Sequence, residues 1–88
     1  MSAPILEENK YSVAIAEYAT GHIRKKDLTA YRNGEPESEI YQVFDSKDEA
    51  ENYVFEFIKL CPEFECVIFK SNGQHFKTYD LNGERRWS

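Results

Sequence analysis

Read for the spacing of its apolar positions, the chain separates into one helical stripe and several β-type runs. Ala50, Tyr53, Val54, Phe57, Ile58 and Cys61 recur three and four apart, which puts them on one face of an amphipathic helix. Its start is marked by Ser46 with Glu49 three residues on, the S-x-x-E capping box. Asp48 and Glu49 fall in the first turn, where carboxylates complement the positive end of the helix dipole. Pro62 stops the element, because its ring cannot continue the helix and it pushes the preceding residue toward extended geometry. The pattern predicts a helix over about residues 47–61.

The β-type runs are Lys10–Ala19, Glu39–Phe44, Phe64–Ser71 and Gln74–Leu81, all rich in β-branched or aromatic residues. Residues His22–Arg32 fit either a polar edge strand or an irregular connection. Three of the four glycines follow asparagine, at Asn33-Gly34, Asn72-Gly73 and Asn82-Gly83. Asn-Gly favours two-residue type I′ hairpin turns, since both residues adopt positive φ at low cost. That turn at Asn72-Gly73 pairs Phe69 with Phe76 and Cys66 with Tyr79. A last short strand, Glu84–Trp87, then places Arg85 opposite Asp80. The expected fold class is α+β: a single antiparallel sheet, a meander with Asn-Gly hairpins, with one helix packed on one face.

Composition narrows the function. Eighty-eight residues with 15% aromatics and 31% charged residues form one compact domain rather than a disordered tail. The opening residues have neither the basic nor the apolar region of a secretory signal, and no apolar run nears the ~20 residues that span a bilayer. With its two cysteines read as free thiols, the expected compartment is the cytoplasm. Net charge is −5, which disfavours nucleic acid and anionic membranes and favours a basic protein partner.

Candidate chemistry is sparse. Cys61, Cys66, His22 and His75 include four metal-type ligands, but without the tight Cys-x2-Cys or His-x3-His pairs of structural zinc. Cys61 completes the helical stripe and Cys66 alternates with Phe64 and Ile68, so both read as small buried hydrophobes. The hairpin register separates Cys66 from His75 by several rungs, too far for proton transfer. Most carboxylates lie in turns or on the polar helix side, and no phosphate loop, G-x-S-x-G or H-E-x-x-H occurs. No catalytic residue, metal site or cofactor is therefore expected.

Two features stand out from that background. The aromatic surplus exceeds what one helix can cover: Phe55 points off the stripe, and Phe69 and Phe76 share a sheet face. With Trp87 they are the candidate partner-binding residues, for a protein partner or for self-association. The other feature is basic: Arg24, Lys25 and Lys26, with Arg85 and Arg86 ahead of Trp87, are the candidates for a single-stranded nucleic-acid surface. The run from Tyr41 to Phe69 (strand, S-x-x-E-A, helix, strand) resembles half of a sporulation-related peptidoglycan-binding repeat, and nothing of that family's function is transferred from it. The leading expectation is a small non-catalytic interaction domain, an immunity, inhibitor or adaptor protein for a basic partner. Nucleic-acid binding is the alternative.

Overall fold

Strand β1 (Tyr11–Glu17) lies inside the sheet, with partners on both of its sides. The structure, a computed structural model, describes residues 3–85. A loop after β1 turns the chain back into the two-residue strand β2 (Ile23–Arg24), and a long connection ends in a 3-10 turn at Glu37–Glu39. Then follow β3 (Gln42–Phe44), helix α1 (Lys47–Leu60), β4 (Phe64–Phe69), β5 (His75–Asp80) and β6 (Gly83–Arg85). Among the described residues this is one antiparallel sheet of six strands with a single helix packed against it, a small α+β fold. No helix among them is long and apolar enough to cross a membrane.

The topology departs from a simple meander. The order is β2-β1-β4-β5-β6, with β3 also paired to β1. β2 meets Ile15 and Ala16, while β3 meets Tyr11, Ser12 and Val13, so two short strands lie end to end along one side of β1. The other side pairs with β4 from Ser12–Phe69 to Glu17–Phe64. Such a central strand must be apolar on both faces. Val13 and Ile15 face the helix, and the alternate residues Ser12, Ala14 and Ala16 are buried on the far side. Their small side chains let the 25–41 connection close down on the sheet. The hydroxyl of Ser12 is buried there without a hydrogen-bond partner among the described residues.

Three sequence expectations are corrected. The Asn-Gly turns are not type I′, because only the glycine of each pair has positive φ: 95° at Gly34, 83° at Gly73 and 99° at Gly83. At the β4–β5 turn the Gly73 amide donates to Lys70 and the Lys70 amide to Gln74, a three-residue loop with glycine in the left-handed position. A Cβ at Gly73 would also lie 3.1 Å from the Ala3 carbonyl oxygen. Second, Cys66–Tyr79 and Val67–Thr78 pair as expected, but a bulge between Ile68 and Phe69 sets Phe69 against His75 instead of Phe76. Third, Arg85 pairs with Thr78, not Asp80. The run Glu39–Phe44 yields only a three-residue strand, since its first residues close the 3-10 turn that follows Pro36.

The helix follows its sequence closely. Ser46 Oγ accepts from the Glu49 amide, and the Glu49 carboxylate accepts from the Asp45 amide. Ala50, Val54 and Ile58 are buried, and the rest of the stripe packs around them. They meet Val13, Ile15, Phe64, Cys66, Ile68 and Tyr79, forming the larger core. Each fully buried aliphatic side chain there contributes about 1.5–3 kcal/mol. A second, smaller cluster on the opposite face joins Ala3, Ala14, Ile40 and Tyr41, with Ile23, Tyr31 and Phe69 partly buried against it.

Candidate interaction surface

The bulge decides where the candidate aromatics go. It turns Phe76 toward the helix side, where its ring meets Tyr11 edge-on at 5.6 Å. Phe69 stays on the opposite face and packs edge-on against Tyr41 at 5.8 Å. The expected Phe69–Phe76 pair on one open face therefore does not exist. Two ordinary core contacts replace it. Trp87 lies outside the described residues.

Phe55 remains. It is 48% exposed, yet its ring is held edge-on at 4.9 Å against Tyr79, which is buried. The Tyr79 hydroxyl donates to Glu51 at 2.8 Å, which fixes the seat. Burial, together with that carboxylate, raises the Tyr79 phenol above its ordinary pKa. Leu81, in the turn between β5 and β6, is 54% exposed. Glu84 pairs with Tyr79 across β5 and β6, and Glu56 follows Phe55 on the helix. Phe55 is thus an exposed aromatic seated on Tyr79, whose hydroxyl holds Glu51 and whose cross-strand neighbour Glu84 binds Lys77 at 3.6 Å. Phe55 was legible in the sequence as an aromatic off the helical stripe. Leu81 was not singled out as a surface residue.

The basic run does not form an open cationic patch. Arg24 bonds to the Glu17 carboxylate and donates to the Leu28 carbonyl, with its guanidinium 5.7 Å from the Phe64 ring centre. Lys25 donates to Glu35 at 2.7 Å and lies 3.8 Å from Glu39. The hydrogen bond from Lys25 holds the Glu35 carboxyl below its ordinary range and raises the Lys25 ammonium. Lys26 is exposed beside them. Arg85 contributes its backbone to β6 at the far edge of the sheet, and Arg86 lies outside the described residues. The structure therefore separates the candidate cations across the sheet and ties two of them to carboxylates.

The cysteine and histidine positions are equally scattered. Cys66 is fully buried in the helix-side core, and burial pushes its thiol up to about 12. Cys61 caps the helix and is half-buried. His75 sits on the opposite face, its Nε2 2.8 Å from the Thr78 hydroxyl, because the bulge puts residues three apart on the same side. Among the described residues no group of three or more histidine, cysteine or carboxylate side chains is placed to hold a metal ion. Comparison with protein-family models, with curated proteins and with solved structures finds no match to this chain.

Proposed function

We propose that the chain is a small non-catalytic protein-interaction domain, an inhibitor, immunity or adaptor protein, that engages a basic partner through the surface around Phe55. The observation that carries this reading is Phe55, a large aromatic left half-exposed on a rigid, buried seat. Aromatic anchors held in one orientation lose little entropy on binding and dominate interface energetics. Glu51, Glu56 and Glu84 around it, on a chain of net charge −5, favour a partner with lysine or arginine at the rim and speed the encounter. The buried thiol of Cys66, on the other sheet face from His75, supports a non-catalytic role.

The test is capture of a partner from native lysate on the immobilised chain. The wild type retains a basic protein that high salt releases, and Phe55→Ala weakens retention about tenfold or more, as truncation of an anchor does. Glu56→Lys slows association. Equal retention by Phe55→Ala, or a partner indifferent to salt, would overturn the reading.

A further inference from the structure

The sheet ends in two edges of different chemistry. At one edge, β6 carries Glu84 at its centre, already paired to Lys77. Two copies joined there would bring like charges face to face, a common safeguard of natural edges. At the other edge, β3 is Gln42-Val43-Phe44, with no charge at all, and it pairs with β1 alone. Among the described residues no other backbone bond reaches β3 from its outer side. Val43 is 45% exposed on the face away from the helix. Beside it Pro4, Leu6 and Tyr41 line a shallow apolar depression, with Lys26 and Glu37 at its margin.

We propose that β3 is a self-association edge that pairs antiparallel with β3 of a second copy, across a two-fold axis at Val43. The sequence of β3 is itself the short, uncharged, extended segment that such an edge accepts. A two-fold pairing sets Val43 of one copy against Val43 of the other, and Gln42 against Phe44, so no charged residue is opposed. The net charge of −5 opposes association in general, but the charges beside this edge are of both signs: Lys10 pairs with Asp45 at 3.4 Å, and Lys26 and Glu37 both border the depression. Pairing supplies backbone partners to β3, and the depressions flanking the two Val43 side chains extend the apolar contact. One continuous sheet results, with both helices on the same side.

This edge is independent of the Phe55 surface, which lies on the helix side toward β5, so the two ideas fail separately. The experiment is sedimentation equilibrium over rising concentration, with Val43→Lys as the blocking variant and circular dichroism as the check that it folds. The average mass of the wild type climbs toward twice the monomer value, and Val43→Lys stays monomeric. In a Cys61→Ser background, Val43→Cys cross-links to a disulfide dimer under mild oxidation, whereas Glu84→Cys does not. A wild type that is monomeric at every concentration overturns the proposal, as does a dimer that survives Val43→Lys or is lost only on Phe55→Ala. A monomer whose capture of another protein depends on Val43 also overturns it, by placing a foreign strand on this edge.

Discussion

Cys66 and Cys61, five residues apart, differ in what surrounds them. Cys66 packs among Val13, Val54 and Ile68, where an ionised sulfur would lose its hydration with nothing in exchange. Its thiol, at about 12, holds almost no thiolate at neutral pH. Cys61 closes the helix at the margin of the same core and is half-buried. Thiol titration of the native chain therefore shows Cys61 reacting first, and Cys66 reacting only on the time scale of unfolding. Rapid modification of both would mean that the helix-side core opens readily. Leu28 is a second residue whose behaviour is set by its surroundings. It sits at φ 72°, uncommon for a side chain of its size, with its carbonyl bound by Arg24 and its side chain against the main core. The conformation is set locally: the Lys25 amide donates to Thr29 and the Leu28 amide to Lys25, so Leu28 takes the left-handed place in a three-residue loop that Gly73 takes between β4 and β5.

At the scale of the element, the helix and the hairpin make opposite lessons. Helix α1 was legible because its signals are local and agree: the Ser46 cap, the acidic first turn, the stripe and Pro62. Ser46→Ala removes the acceptor for the Glu49 amide and costs about 1 kcal/mol, within 0.5–2, read as a lower urea midpoint with an unchanged slope. A cost near zero would show that water satisfies the helix start equally well. The β4–β5 hairpin was legible only at its far end. Cys66–Tyr79 was right because two errors cancel there: the turn takes three residues instead of two, and the bulge then inserts one on β5. Between them lies Phe76, whose facing no pattern of alternating residues could give. The open β3 edge was hidden for a related reason, since a run from Glu39 reads as a six-residue strand until the 3-10 turn shortens it.

For the whole molecule, charge is arranged unevenly. Glu17, Asp27 and Glu35 all have carboxyls held below the ordinary range; Glu17 ends β1, and the other two lie in the long connection after β2. The causes are hydrogen bonds from Thr20 and then Arg24 to Glu17, from Thr29 to Asp27, and from Lys25 to Glu35. A carboxyl with a lowered folded pKa stabilises the fold above its unfolded value and loses that contribution as pH falls through the folded one. For Glu35 the loss therefore sets in below pH 4.5, its ordinary value. Lys25 works in reverse, its contribution full below 10.5 and lost as pH rises past its higher folded value. The gap in urea midpoint between wild type and Glu35→Gln is thus present at neutral pH and closes in acid. A gap that persists unchanged into acid would mean that the Lys25–Glu35 pair contributes nothing.

The placement of β1 has a consequence for how the chain is made. Its partners β2 and β3 are synthesised soon after it, but β4, which completes its other side, begins only at Phe64. Contacts so distant in sequence require a long loop to close before they repay its entropy. A nascent chain halted after the helix would hold the segment Ser12–Ala16, apolar on both faces, with one backbone edge open. The next few residues to leave the ribosome turn that sticky intermediate into the interior of a finished sheet. The interval before β4 docks on β1 is therefore when the folding chain is most exposed to misassembly.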